Sequence, residues 1–539
     1  MPSSLPFGVS CRGGLNTNLN QFEMLSQPGL ATDLENFEVD SDGGYRRING
    51  FDVFGGSSAA RPNGDSPVLG LFVYADGLIA TSGTNIYFTL DGVTWLQINR
   101  ASVHSSGDNY STFVGRSVAA RTSQGQCSFA LYEGDSDYGE LVITDEGSSA
   151  KPFYFKITGA GALTNRTYFA KEITVSGSVY PTVATMHDRH LVVSGDTNNP
   201  NTVYYSHTDA PDDFTGSGAG SIKLDDKVIG LRPFRADLII FCKNSIYKLV
   251  NINDSNNIAI QPVTKNVGCL DNHSIQEIAG DLVFLSPDGV RTIAGTARIG
   301  DVELGSVSRQ IQSIVETVAK GIDDFIIDSV VLRQKSQYRI FYTTGTQSAA
   351  DSKGIIGSLT SNGFEWSETK GIQARAITSG FNFNGIEQTF HGDSQGYIYI
   401  HDTGDYFLHN NSQASIRATY KTPNYDFGDF GTRKNMRYVK ISISPEGTAQ
   451  PTLRVRYDYE DTNIPQPTDY TLLSVPLPAI FGESSFGATA VFGATNDPMV
   501  RQAIQGGGYT ASFRLRSEDK NPPYAINGMY IDYVPSTRR

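Results

Sequence analysis

The sequence predicts an all-β protein, with a propeller-like body of about six or seven hairpin-rich units and a C-terminal antiparallel β-sandwich. Three observations predict it. Tyr and Phe are plentiful (27 and 29), Gly reaches 55, and charged residues make up only 18%, a composition suited to pleated surfaces and tight turns. One phrase, two β-rich runs around a turn, recurs along the middle of the chain. The last stretch then changes to longer runs in which apolar and charged residues alternate.

Residues 1–60 read as an arm. Gly13-Gly14-Leu15-Asn16 and Asp42-Gly43-Gly44-Tyr45 are turns, and Asn36–Val39 and Arg46–Ile48 are short strands around the second. Asp33–Phe37 is expected to make a short turn of helix. The segment is too short to bury a core of its own, so it is expected to lie against something larger.

The body spans residues 61–410. Its clearest phrase is Leu78–Ser82, Gly83-Thr84, Asn85–Leu90, followed by Asp91-Gly92 and Val93–Leu96; Gly at such turns tolerates positive φ. Six more phrases follow: Leu141–Thr144 with Phe153–Phe155, His190–Val193 with Thr202–Tyr205, Leu238–Phe241 with Ser245–Leu249, Leu282–Leu285 with Gly289–Ile293, Tyr338–Tyr342 with Gly354–Ile356, and Gln388–Phe390 with Gly396–Ile400. A spacing of roughly 45 to 60 residues with several strands per unit marks a β-propeller; unrelated hairpins in sandwiches are the alternative. One helix stands out over Ser306–Val318, with Val307, Ile311, Ile314 and Val318 on one face.

Residues 411–539 carry the sandwich strands: Ser415–Tyr420, Arg437–Ile443, Thr452–Tyr457, Ser512–Arg516 and Ala525–Tyr533. A long projecting loop is expected near residues 481–508.

A net charge of −13 argues against broad affinity for DNA and against docking on anionic membranes, although a duplex could pass an acidic wall without sticking. Cys11, Cys127, Cys242 and Cys269 lack the close pairing of a zinc site and suggest free thiols, Cys242 as a small buried hydrophobe. The opening MPSSLPFGVSCRGG has no basic region followed by an apolar core, and no apolar run approaches the ~20 residues that span a bilayer, so membrane insertion is not expected.

The chemistry-bearing residues form no convincing constellation, so no catalytic, cofactor-binding or metal residue is assigned and no cofactor is expected. Gly216-Ser217-Gly218 lacks the rest of a nucleophile elbow. On a continuous strand His187 and His190 would face opposite sides, leaving Asp188 and His190 as a polar rim. His391, Asp393, His401 and Asp402 bracket Gly396–Ile400 as turn residues, and Asp40-Ser41-Asp42 reads as a turn without the distal Glu of a calcium loop. Asp196, Asp237 and Asp393 are the acids a propeller glycan hydrolase would draw on, the alternative to a structural role. The basic spots Arg46-Arg47, Arg433-Lys434 and Arg538-Arg539 suit salt bridges to a partner.

The phrase Gly13-Gly14-Leu15, then Ala31 with Leu34–Phe37, then Gly43–Phe51 resembles the opening of the nozzle, or tail-tube terminus, proteins of short-tailed bacteriophages. Leu282–Val290 with the following helix, His391–Tyr399, and Thr422 with Tyr425–Gly428 and Arg433-Lys434 resemble further pieces of that family, in the same order. A tail-stabilising hub protein is similar too. The resemblance implies a non-enzymatic virion protein assembled in the host cytoplasm. It implies a homo-oligomeric, six-fold ring that docks under tail adaptor proteins and beside fibres or tip proteins. Such a ring holds back packaged DNA and conducts it, without specific binding, on adsorption.

Overall fold

Each of the seven repeated phrases folds as an antiparallel hairpin. In the first, Gly77–Ser82 pairs with Asn85–Thr89, Ser82 lies opposite Asn85, and Gly83 takes φ +56° in the two-residue turn. The structure, a computed structural model, describes residues 4–40, 43–99, 125–134, 137–146, 151–254, 256–294, 306–345, 347–381, 385–472, 477–478, 490–491 and 499–536.

Four four-stranded sheets follow one another over residues 68–97, 127–172, 183–223 and 228–264. A three-stranded sheet over residues 276–292 and a six-stranded sheet begun by Ala376–Phe381 complete a set of six small sheets. These stand in a ring as the blades of a β-propeller, each with its first strand toward the axis. Between the fifth and sixth of them lie the first four strands of a nine-stranded sheet, whose Phe325–Leu332 packs on both neighbours. Apolar wedges join the sectors: Ile79 and Phe88 meet Ile143 and Phe155, and Ile240 and Leu249 meet Val192 and Val203. A half-buried sheet is marginal alone, so this packing rather than strand propensity holds the ring.

The nine-stranded sheet leaves the propeller and continues as one layer of the C-terminal sandwich, through Asp33–Glu35, Ile416–Lys421, Ala511–Asp519, Thr452–Tyr457 and Tyr470–Thr471. A seven-stranded sheet centred on Tyr524–Pro535 and Lys434–Pro445 is the other layer. The alternation read in these strands sets the core, with Tyr420, Leu453, Val455, Phe513 and Leu515 packing on Val439, Ile441, Ile526 and Ile531.

The arm lies against the chain's own distant elements. Leu5–Ser10 and Tyr45–Arg47 both pair with Tyr524–Pro535, and Phe51–Val53 pairs with Ile398–His401 of the last blade. Two glycines permit the contacts: a Cβ on Gly14, at φ +73°, would meet the Trp366 backbone at 2.7 Å, and one on Gly50 would overlap the Tyr406 carbonyl at 1.9 Å.

Three local expectations are corrected. Asp33–Phe37 is not helical: Asp33–Glu35 joins one layer, Phe37–Val39 the other, and Asn36 at φ +56° makes the crossing. Asn36 holds this conformation because its amide donates to the Lys370 and Arg417 carbonyls at 3.0 and 2.8 Å and accepts from the Lys370 N–H at 3.0 Å. The later helix covers only Gln312–Lys320 after a 3-10 turn at Arg309–Ile311, because the Val307 N–H and Ser308 hydroxyl are bonded to Val290. Ile311, Val315 and Val318 are its buried residues, with Val307 and Ile314 packed beside them. Within the expected loop, Met499–Ala503 is a strand paired with Lys434–Pro445, while residues 481–489 and 492–498 lie outside the described residues.

Candidate functional site

The first strands of five of the small sheets, together with Phe325–Leu332, line a cavity of about 380 Å³ on the propeller axis. Phe72 and Phe129 stack on its wall with centroids 5.3 Å apart. Arg232, Asn272, His273, Glu277, Asp328 and Arg333 supply its polar lining. A second cavity, lined by Glu146, Asp196 and Asp271, lies beyond Asn272. The 3-10 turn Asn272–Ser274 stands between the two, started by Asp271, which accepts from the His273 N–H at 2.7 Å.

His273 is the centre of the charge. Its Nε2 faces Glu146 Oε1 at 3.3 Å and its Nδ1 faces Asp328 Oδ1 at 3.8 Å. Burial alone would lower its pKa, but Glu146, Asp328 and Asp271 outweigh it and push the imidazole up to about 9. Burial raises Asp328 to about 7 against the pull of His273, and raises Asp271 as well. The remaining bonds close the cluster on itself. Asp328 accepts from the Ser329 and Ile377 N–H groups at 2.8 and 2.7 Å, Arg232 donates to Asn272 Oδ1 at 3.2 Å, and Asn272 donates to Ser128 Oγ at 2.9 Å. Chemically the site holds an imidazolium among carboxylates, one of them half-protonated near neutrality.

Neither His273 nor Asp328 was singled out by sequence, because Asp271-Asn272-His273-Ser274 reads as a turn and Asp328 as a strand residue. Only the ring brings them together. The candidate residues legible in the sequence lie elsewhere. His187 and His190 are directly opposed across a hairpin whose turn is Asp188-Arg189, both at positive φ, so they share a face instead of opposing. His190 is occupied by the Ser206 carbonyl at 2.6 Å and Asn253 Oδ1 at 2.9 Å. His391 and His401 are buried strand residues, not turn residues; Asp393 does serve the turn, accepting from the Gln395 and Tyr397 N–H groups at 2.8 and 2.9 Å. Asp40 closes its turn with Gly44, while Asp42 lies outside the described residues.

Asp196, Asp237 and Asp393 sit in three different sectors. Asp196 accepts from the Tyr180 N–H at 3.0 Å, and Asp237 pairs with Lys248 at 3.2 Å. Ser217 lies on an exposed loop. The basic spots are used inside the chain. Arg46 bonds Glu38 at 2.9 Å, Arg47 bonds Asp519 at 2.7 Å, Arg433 donates to the Gly507 carbonyl at 3.1 Å and Lys434 to that of Tyr509 at 3.0 Å. Folding brought their acceptors from distant segments; Arg538-Arg539 lies outside the described residues. All four cysteines are buried, and burial pushes the Cys11, Cys242 and Cys269 thiols up to about 12.

No family model and no curated protein matches the chain. Among solved structures it is similar to the computationally designed Ika8 protein, with 9% identity, TM-score 0.32, and coverage of 63% of this chain and 98% of that one. It is also similar to PorZ, a surface component of the type-IX secretion system of Porphyromonas gingivalis, with 9% identity, TM-score 0.34 and coverage of 64% and 38%. An ancestral GH74 enzyme matches at 10% identity and TM-score 0.36, over 73% and 53%. The chain spans less than two thirds of the length of PorZ and of the GH74 enzyme.

Proposed function

We propose that the chain is a structural subunit of a bacteriophage virion, the ring-forming nozzle or distal tail tube of a short-tailed phage. The observation that carries this reading is the tying of the chain ends. The arm is paired into both the sandwich and the last blade, so separating these parts under load requires shearing several strands at once. The axial charges support it, since His273 faces Glu146 and Asp328 while Asp271 and Asp328 accept from backbone N–H groups. Asn272–Ser274 stands between the two cavities, so on this reading DNA runs through a ring of subunits and not through one chain. Tail adaptor proteins above and fibres or tip proteins beside are the expected partners. Negative-stain micrographs of the purified protein, alone and mixed with its tail adaptor, test this. Closed rings with an open lumen are expected; a monomer in both samples overturns the reading.

One observation favours a second reading, a glycan hydrolase or glycan-binding protein. Asp328, held near half-protonation in the axial cavity, has the acidity a general acid needs. On that reading Asp328→Asn abolishes cleavage of host surface polysaccharide; absence of cleavage by the wild type removes it.

A further inference from the structure

The outer face of the sandwich layer within the nine-stranded sheet carries an ordered charge pattern. Across its strands, Asp33 lies opposite Lys421, Lys421 opposite Arg514, and Arg514 opposite Arg454. One step along, Glu368 lies beside Glu35, Glu35 opposite Thr419, and Thr419 opposite Arg516. Directly paired residues share a face, so an acidic strip of Asp33, Glu35 and Glu368 runs beside a basic strip of Lys421, Arg514, Arg516 and Arg454.

This pattern is incompletely neutralised within the chain. Arg454 is bonded to Asp469, Arg516 to Glu518 and Lys421 to Glu460. The Arg514 guanidinium, flanked by Lys421 and Arg454, forms no hydrogen bond or ion pair among the described residues, and its Nε is a buried orphan. The carboxylates of Asp33 and Glu368 likewise form none, and Glu35 has only a 3.4 Å contact with Arg417. Like charges directly opposite each other are unfavourable, and partly buried charges without partners more so.

We infer that this face is a contact between two copies of the chain, the acidic strip of each set against the basic strip of the other. Because the same face serves both copies, the contact is two-fold and self-complementary. Charge complementarity selects this occupant: the face supplies both signs side by side, which a uniformly acidic or basic partner would leave half unmatched. The inference is independent of the ring, which needs two different faces in contact.

Analytical ultracentrifugation of the full chain at low and high salt tests it. Wild type is expected to self-associate at low salt and to dissociate as salt screens the strips. Arg514→Glu is expected to weaken association about tenfold or more, and Asp33→Lys combined with Arg514→Glu to restore it by exchanging the two signs. Circular dichroism of each variant establishes folding, and Arg514→Gln, which removes the charge without reversing it, should weaken association less. A wild type that stays monomeric at low salt, or an Arg514→Glu variant that associates as the wild type does, overturns the contact. Rings that form while the wild type shows no salt-sensitive pairing beyond the ring overturn it and leave the nozzle reading standing; a salt-sensitive pair that never forms rings does the reverse.

Discussion

His273 and His401 are both buried, yet one is pushed up to about 9 and the other down to about 3. His273 sits on the propeller axis among Glu146, Asp271 and Asp328. His401 sits in the last blade, where burial comes first and the nearby Arg339 and Lys335 oppose its protonation. Its ring lies 4.6 Å from that of His391, and Phe51 of the arm packs against both and against His409. Burial lowers His391 well below the usual histidine range, with His401 and His409 adding to it. Burial alone therefore does not decide the charge of an interior imidazole; the sign of its neighbours does.

The largest test of this contrast is His273→Ala. It leaves three carboxylates around an empty centre, so a loss of about 3–5 kcal/mol is expected at pH 8. The loss should shrink at pH 10, where His273 has given up its proton in the folded chain as well. Urea denaturation at the two pH values checks this; an equal loss at both would mean that packing, not charge, is what the ring of carboxylates needs from His273.

The wild-type pH profile comes next. His273, raised when folded, contributes stability that is full below its ordinary pKa near 6.5 and is lost as pH rises through about 9. The fall over that window should be roughly 2–3 kcal/mol. Asp328 is also raised, so its folded form retains a proton between about pH 4 and 7 that the unfolded chain has lost, which favours the fold toward acid. The buried His391, His401 and His409 work the other way, because below pH 6.5 the unfolded chain takes up protons they refuse. Thermal scans should show a broad plateau on the acid side of neutrality with a decline above pH 7; no alkaline decline would contradict the assignment of His273.

The smallest effect sharpens the other half. His401→Phe removes a depressed imidazole and a buried Nε2 that has no hydrogen-bond partner among the described residues, so stability at pH 4 should rise by about 1–2 kcal/mol with little change at pH 8. Melting temperatures that fall at both pH values would show instead that the His401 ring fits its site better than Phe does.

A second buried carboxylate obeys the same rule as the histidines. Glu38 is contacted by Arg46, Lys335 and Arg339 at 2.9–3.1 Å, and although burial would raise its pKa, these cations hold it below the usual range. It ties the arm to the sector that joins propeller and sandwich. Neither its partners nor those of His273 were legible in the sequence, since the four residues of the Glu38 cluster are scattered over about 300 positions.

The sequence by itself determined the β class, the seven hairpins and the alternating strands of the C-terminal layers. These depend on neighbours within a few residues: turn glycines, β-branched runs and period-two alternation. Only the tertiary structure decided where each sheet ends. It placed the arm inside both larger parts, let one sheet serve propeller and sandwich together, and turned Asp33–Phe37 into a crossing at Asn36. It also decided the charge of His273, because Glu146 and Asp328 arrive from other sheets, and a chain read in order cannot say which of its distant carboxylates and cations will face one another once the ring has closed.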